Sequence, residues 1–175
     1  VSVLNYWKKN GKPSKLIMSF HGIPKKSLYQ GDPYHCECHK TGRLLAEALN
    51  LKDTEYQICF QSRFGKAEWL KPYFAEVIAD LGKQKINNIH VICPGFSSDC
   101  LETLEEINME GKSIFINNGG KNYKYIPALN SDPHWVEAMG IISSSNLQGW
   151  LDPKWSLAKE QKSSNLTKKQ AEKFK

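Results

Sequence analysis

Long apolar runs are absent from this 175-residue chain, and none approaches the roughly 18 residues that a membrane-spanning helix requires. The first residues also lack the apolar stretch and small-residue cleavage site of a secretory signal, so we expect no export signal. Because the chain begins with Val and not Met, we expect that another segment preceded it. A hydrophobic content of 40% and a mean hydropathy of −0.53 predict a globular domain.

A disulfide framework is absent as well. The five cysteines are an odd number, and Cys59 and Cys93 lie in apolar, strand-like runs, which predicts reduced thiols and a cytoplasmic location. The segment HCECH, residues 35–39, contains two His and two Cys, all of them zinc-ligand types. It lacks the usual two-residue gap between the cysteines and a second ligand pair nearby. A non-catalytic metal- or haem-binding module with this segment as its site is therefore only an alternative interpretation.

A basic surface is absent from most of the chain, although the net charge is +6. Between positions 154 and 175, seven Lys stand against two Glu, which accounts for a surplus of five positive charges. No basic patch interleaved with aromatic residues accompanies this charge, so we predict no nucleic-acid partner. The change in composition predicts an α/β lobe over residues 1–140 and a polar, Lys-rich extension over residues 141–175, which is either a helix or disordered at 159–175.

Strand and helix patterns alternate along the chain. Short apolar runs predict strands at 16–20, 55–61, 88–93 and 113–117, the first of them almost directly at the start of the chain. Helical spacing predicts helices at 39–49, at 69–81 with Gly82 ending it, at 99–109, and from 133 onwards. This order predicts an α/β fold in which a parallel four-stranded sheet is flanked by helices and joined by right-handed crossovers.

Polar side chains follow three of the predicted strands. His21 follows the first strand, Gln61 and Arg63 lie at the end of the second, and PGFSSD, residues 94–99, follows the third. Ligands of parallel sheets bind beyond the carboxyl ends of the strands, so this edge is the predicted site. His21 is either a general base or metal ligand with a free lone pair, or a buried imidazole satisfied by backbone groups.

The segment PGFSSDCLETLEE, residues 94–106, predicts an acidic helix face at this edge. Asp99 followed by Glu102 resembles a capping box. Glu102 and Glu106 lie four residues apart on one face, and Leu101, Leu104 and Ile107 lie on another. A row of carboxylates binds a cation or transfers protons. The alternative is a solvated acidic face near a helix N-terminus, where the helix dipole stabilises negative charge.

Six motifs in register, SFHGIP, GDPY, FQSRFG, EWLKPY, PGFSSDCLETLEEI and YIPALN, resemble the ferrochelatase family, and most closely its bacterial members. The resemblance covers residues 16–139 and implies insertion of Fe²⁺ into protoporphyrin IX during haem biosynthesis. Members of this family have two similar α/β lobes, and the chain resembles only the carboxyl-terminal one. The resemblance therefore implies that an amino-terminal lobe is missing and that the isolated chain is inactive. The alternative is a half-size tetrapyrrole chelatase, in which a second copy of the chain completes a homodimer.

The resemblance also implies roles for particular residues. His21 matches the catalytic histidine, Glu102 the carboxylate facing it across the porphyrin, and Glu106 an acidic residue one turn further on. All three are implied metal-binding residues, and which of His21 and Glu102 is the base stays open. The porphyrin cleft is expected to include Gln61, Arg63, Trp69, Ser98 and Asp99.

The expected partners are a porphyrin and a divalent metal, with peripheral contact to a membrane. Fe²⁺ and protoporphyrin IX are expected as substrates and not as prosthetic groups. No cysteine follows Cys100, so no [2Fe–2S] cluster is expected.

Overall fold

The computed structural model describes residues 1–147, 150 and 155–173. The chain forms two units, residues 1–130 and residues 131–175. The boundary expected at residue 140 falls inside a helix of the second unit, Pro133–Asn146.

The first unit contains a sheet of four parallel strands in the order β2–β1–β3–β4, which confirms the predicted fold class. A 3₁₀ turn at Asp53–Glu55 precedes β2. In chain order the elements are α1 (Ser2–Asn10), β1 (Lys15–His21), α2 (Lys25–Tyr29), α3 (Tyr34–Ala48), β2 (Tyr56–Gln61), α4 (Phe74–Lys83), β3 (Asn88–Ile92), a π-helix (Glu102–Glu110), α5 (Gly111–Asn117) and β4 (Asn122–Tyr125).

Strand β1 separates two apolar cores. Its side chains alternate between faces, so Leu16, Met18 and Phe20 pack with α1 and α3, whereas Ile17 packs with α4, the π-helix and α5. This division follows from the strand order. The chain leaves β1 towards β2 and then crosses back to β3 on the other side, and right-handed crossovers place the two sets of helices on opposite faces.

The strand predicted at 113–117 is wrong, because this segment is helix α5 and the fourth strand lies at Asn122–Tyr125. A short apolar run such as SIFIN does not by itself distinguish a buried strand from a buried helix. The preceding π-helix runs directly into α5 and buries Phe115 completely. Gly119, with a φ of 102°, lies in the turn after the helix, and the Gly120 N–H donates to the Phe115 carbonyl at 3.0 Å.

Three further boundaries differ from the prediction. The helix expected at 69–81 begins only at Phe74, because Tyr73 before it has extended backbone angles. Gly82 lies inside this helix, and Lys85, with a φ of 56°, takes the left-handed conformation beyond its end. Helix α3 begins at Tyr34 and not at residue 39. The first residues form helix α1, whose Trp7 is buried, and do not lead directly into a strand.

His90, on β3, is completely buried, and its Nδ1 accepts a hydrogen bond from Trp7 Nε1 at 3.1 Å. Burial, aided by the charge of Lys124, lowers the pKa of His90 from 6.5 to about 4. Between pH 4 and pH 6.5, the unfolded chain therefore binds more protons than the folded chain. The free energy of unfolding is therefore expected to rise with pH by about 3 kcal/mol across this window, as measured by urea unfolding.

The matched control is His90→Asn, because the Asn side-chain oxygen can still accept the Trp7 hydrogen bond but does not titrate. This variant is expected to lose most of the rise in stability between pH 4 and 6.5. An identical pH slope in both proteins would show that His90 is not the group responsible.

The second unit contains α6 (Pro133–Asn146) and α7 (Leu157–Glu172). The Asp132 carboxylate accepts the His134 and Trp135 N–H groups at the start of α6, and Ser156 caps α7. Within the Lys-rich extension, Leu157–Glu172 is thus helical, while Lys154 and Lys175 lie outside the described residues. None of the helices in the described ranges is long and apolar enough to cross a membrane.

Candidate active site

The candidate site lies where the strand order reverses. Strand β1 has β2 on one side and β3 on the other, and the chain connections diverge at the carboxyl ends of β1 and β3. A crevice forms at this position in open parallel sheets. His21 ends β1, Gln61 ends β2, and the loop after β3 leads into the π-helix. The three predicted strand ends are therefore brought to one edge.

The His21 imidazole is half-buried and held in a defined orientation. Its Nδ1 lies 2.7 Å from the Gly22 carbonyl oxygen, so Nδ1 carries the proton and donates, and the Nε2 lone pair is left for another partner. The ring centroid lies 6.4 Å from the rings of both Trp69 and Phe96. The Tyr34 hydroxyl donates to the His21 carbonyl at 2.8 Å.

Gly22 permits this close packing. A Cβ at this position would lie 2.8 Å from the Gln61 carbonyl oxygen and 3.1 Å from the Trp69 ring. Any side chain here would therefore push β2 or Trp69 away from the end of β1. The close packing at Gly22 and the Nδ1 hydrogen bond to its carbonyl together fix the direction of the His21 imidazole.

Glu102 begins the π-helix, a form that occurs frequently at functional sites. The pKa of Glu102 is lowered, first by a hydrogen bond from the Cys100 thiol, then by its own backbone N–H, and also by the charge of His21 in its protonated form. The register pairing of His21 with Gln61, and the contact of Gln61 Nε2 with the Glu102 carbonyl, place His21 and Glu102 at the same end of the sheet. The Glu102 carboxylate is ionised at neutral pH.

Glu106 is bound to the end of β2. Its Oε1 accepts the Ser62 backbone N–H at 2.6 Å, and its Oε2 accepts the Ser62 hydroxyl at 2.6 Å. Ser62 has a φ of 63°, in the left-handed region, which is uncommon for a residue with a side chain. These hydrogen bonds hold the second carboxylate of the π-helix at a fixed place.

Gln61 connects the sheet to the π-helix and is only 2% exposed. Its Oε1 accepts the Ser19 hydroxyl at 2.9 Å, and its Nε2 lies 3.3 Å from the Glu102 carbonyl oxygen, to which it donates. A longer contact of 3.5 Å joins Nε2 to the Glu106 carboxylate. Gln61 therefore positions both glutamates, and direct contact with a porphyrin stays a prediction.

An open groove of about 380 Å³ runs along the π-helix. Phe64 and Leu101 are 83% and 69% exposed beside it. The lining consists of one basic, four acidic, two apolar and one hydroxyl side chain: Ser62, Arg63, Phe64, Leu101, Glu102, Glu105, Glu106 and Glu110. The predicted separation of the acidic face from Leu101, Leu104 and Ile107 is wrong, because only Ile107 is buried and Leu101 lines the acidic groove.

Arg63 and Trp69 occupy the rim of this region. The Arg63 guanidinium lies 4.9 Å from the centre of the Tyr73 ring, a cation–π contact that orients an otherwise exposed side chain. Trp69 is half-buried, and its Nε1–H is buried without a hydrogen-bond partner. Their predicted contact with a porphyrin stays a prediction.

The capping box predicted for Asp99 and Glu102 is wrong. The Asp99 carboxylate instead accepts hydrogen bonds from the Tyr125 hydroxyl at 2.7 Å and the Asn130 amide at 2.8 Å. Thr103 Oγ1 accepts the Cys100 N–H at the helix start. Asp99 therefore anchors the segment after β4 to the start of the π-helix. Ser98 is exposed at the same strand end.

The side chains of the HCECH segment lie in two different environments. The His35 and His39 rings lie beside each other on α3, with centroids 4.4 Å apart, while Cys38 is buried and Cys36 is exposed. The pKa of His39 is lowered, mainly by burial and then by the charges of His35 and Arg43. In the described ranges, no group of three or more His, Cys, Asp or Glu side chains is placed to hold a metal ion.

Sequence reasoning missed the π-helix and the role of Ser62. The π-helix had no recognisable signal, because its wider hydrogen bonding depends on packing and not on periodicity alone. The Ser62 contact was detectable only as a polar residue next to Gln61 at a strand end. Phe64 and Leu101 were missed because exposed apolar side chains resemble core residues in a sequence.

Glu106→Ala is expected to lower the free energy of unfolding by about 2–3 kcal/mol, because two Ser62 donors lose a charged acceptor. Glu106→Gln keeps one acceptor and should cost less. Urea unfolding measures both. Glu105→Ala, on the exposed side of the same helix, is the matched control and should change stability by less than about 0.5 kcal/mol. Equal effects at the two positions would contradict the anchoring role of Glu106.

The fold and the site together define an α/β lobe. This lobe holds an imidazole and a row of carboxylates at the carboxyl ends of its parallel strands. The family model described as ferrochelatase matches residues 1–147. The chain therefore belongs to the ferrochelatase family, which confirms the resemblance seen in the motifs.

Curated relatives named ferrochelatase match most of this chain. The relative from Nitrosomonas europaea is 63% identical and the match covers 89% of this chain and 43% of the relative. Those from Methylobacillus flagellatus and Chromobacterium violaceum are 58% and 55% identical, and 44% and 41% of their lengths are covered. The chain thus spans about two fifths of the length of these relatives.

A crystal structure from Marinobacter aquaeolei VT8, titled as a CbiX protein of cobalamin (vitamin B12) biosynthesis, also aligns with this chain. The alignment covers 78% of this chain and 98% of that one, with 15% identity and a TM-score of 0.49.

Proposed function

We propose that this chain is the carboxyl-terminal lobe of a ferrochelatase and acts with an amino-terminal lobe to insert Fe²⁺ into protoporphyrin IX in the cytoplasm. The observation that carries the proposal is geometric: His21 pairs in register with Gln61, and Gln61 Nε2 donates to the Glu102 carbonyl oxygen at 3.3 Å, so His21 and Glu102 lie at the same end of the sheet. The porphyrin and the metal ion are the substrates, and the product is protohaem.

His21 is the proposed base. Two pyrrole N–H protons must leave the porphyrin as the metal enters, and a neutral imidazole with a free lone pair accepts them one at a time. The Nδ1–H of His21 is already committed to the Gly22 carbonyl, so the basic lone pair is on Nε2. After each transfer the imidazolium passes its proton to solvent.

Glu102 is the proposed group that faces the incoming cation. Its lowered pKa keeps it ionised, so its charge offsets that of a partly dehydrated metal ion. Glu106 supplies a second carboxylate whose position is fixed by Ser62. With His21, these groups would offer the metal one nitrogen and several oxygen ligands during transfer.

The surroundings support a flat, apolar ligand. Trp69 and Phe96 flank the His21 ring at 6.4 Å, and Phe64 and Leu101 are exposed beside the acidic groove. Exposed apolar side chains of this kind, rimmed by charge, are typical of binding surfaces. The porphyrin would cover them.

The test compares this chain alone with a chimera that joins it to the amino-terminal part of the Nitrosomonas europaea relative. Metal insertion is followed by the absorbance of protoporphyrin with Fe²⁺ or Zn²⁺. The chimera is expected to turn over, and the isolated chain to bind porphyrin weakly and insert metal slowly or not at all. An inactive but folded chimera, with the intact relative active beside it, would refute the proposed function. Full activity of the isolated chain would refute the need for a second lobe.

A further inference from the structure

The pair His35 and His39 is not used by the proposed reaction. The two residues lie four positions apart near the start of α3, so their side chains share one helix face. Both are half-buried, and so they remain accessible from solvent. Their ring centroids lie 4.4 Å apart with planes inclined by 45°.

This separation is close to that of two imidazoles bound to one cation. Metal–nitrogen bonds of roughly 2.1 Å place each ring centroid roughly 3.2 Å from the metal. Two such rings at about 90° to each other, in the square-planar or tetragonal geometry that Ni²⁺ and Cu²⁺ adopt, have centroids roughly 4.5 Å apart. The observed 4.4 Å therefore matches the centroid separation that one shared cation requires.

Phe60 contacts the rings of both His35 and His39 from the sheet side. Its side chain, on β2, is 2% exposed; the His35 ring stacks on it at 5.7 Å and 21°, and the His39 ring lies 6.1 Å away. Contact with a buried ring restricts the rotamers of both imidazoles before any ligand arrives. Such pre-organisation lowers the entropy lost on binding.

The neighbouring cysteines do not complete a four-ligand site. Cys38 is buried, and burial raises the pKa of its thiol, which interacts with the Tyr34 hydroxyl. Cys36 is exposed, and within the part of the chain that the structure describes no third ligand joins the pair. Water would therefore fill the remaining coordination positions.

We propose that His35 and His39 form a two-histidine binding site for a borderline divalent transition-metal cation of the Ni²⁺ or Cu²⁺ class. Imidazole nitrogen suits these cations, whereas Mg²⁺ prefers oxygen ligands. The site is separate from His21 and the two glutamates and does not rest on the proposed function. A bound cation would link successive turns of α3 beside Tyr34, which contacts the carbonyl of His21.

The experiment titrates Ni²⁺, which is redox-inert towards the thiols, into the full chain and follows binding by calorimetry. His35→Gln and His39→Gln are each expected to weaken binding at least tenfold. His134→Gln is the matched control, because that imidazole is exposed and is on a different helix; it should leave affinity unchanged, as should Cys36→Ser. Mg²⁺ is expected not to compete.

A second readout locates the bound ion without relying on affinity. Paramagnetic Ni²⁺ should broaden the ring NMR signals of His35 and His39 before those of His21 and His90. Unchanged binding in both glutamine variants, or binding lost only in Cys36→Ser, would overturn the proposal. Early broadening at His21 in place of the pair would do the same, and would leave the proposed catalytic role intact.

Discussion

His21→Ala in the chimera with the amino-terminal lobe is expected to lower the rate of metal insertion by about 10² to 10⁴, the usual contribution of a positioned general base. The ring Nε2 is the proposed acceptor of the pyrrole protons, and alanine leaves nothing in its place. The side chain is half-buried at a strand end, so the fold should survive. Initial rates with Zn²⁺ and protoporphyrin measure the effect.

Added imidazole distinguishes a lost base from a lost contact. A small free imidazole is expected to restore part of the rate in His21→Ala and to leave the unsubstituted chimera unchanged. His134→Ala is the matched control, since its side chain is 79% exposed, and it should retain full activity. A His21→Ala rate within threefold of the original would show that His21 is not the base.

Phe115→Ala is expected to lower the free energy of unfolding by about 3–5 kcal/mol, which is a large share of the 5–15 kcal/mol of a typical domain. Phe115 is completely buried in α5, with the Tyr123 ring 6.1 Å away. Its ring also fills the space above Gly120, where a Cβ would lie 2.3 Å from it. Alanine would leave a cavity that neither neighbour can fill without moving the backbone. Urea unfolding of the chain measures the loss.

Ile116→Ala is the matched control, because this neighbouring side chain is 41% exposed on the other side of the same helix. It should cost less than about 1 kcal/mol. The comparison also tests the helical assignment. A strand of a parallel sheet is covered on both faces, so a strand at 113–117 would bury Phe115 and Ile116 alike. Similar losses at Phe115 and Ile116 would therefore contradict the packing of α5.

The order of elements was predictable because each depends on residues close in sequence. Strands β1, β2 and β3 are apolar runs bounded by turn residues, and their alternation with helices is enough to predict a parallel sheet. The polar residues at the ends of these strands follow from the same reasoning. The sequence therefore predicts that three features lie at one edge of the sheet: His21, Gln61 and the segment after β3.

The predicted type of secondary structure was wrong where the local sequence pattern was ambiguous. The run at 113–117 fits a strand and a buried helix equally, and packing of Phe115 between the helices and β4 decides for the helix. The sequence prediction assigned no element to the first ten residues, but Trp7 and Val3 bury one face of α1 against the sheet. In both cases the deciding contacts come from residues distant in the chain.

The sequence alone determined the parallel α/β class, the family motifs and the choice of His21, Glu102 and Glu106 as candidate residues, because these depend on residue type and spacing. Tertiary structure decided which polar groups are free to react. It commits Gln61 and Asp99 to internal hydrogen bonds and fixes Glu106 on Ser62. It also commits the Nδ1 of His21 to the Gly22 carbonyl, which leaves the lone pair of the neutral imidazole on Nε2. The physical reason is that hydrogen-bond partners are chosen by distance and direction after folding, and spacing along the chain does not specify either.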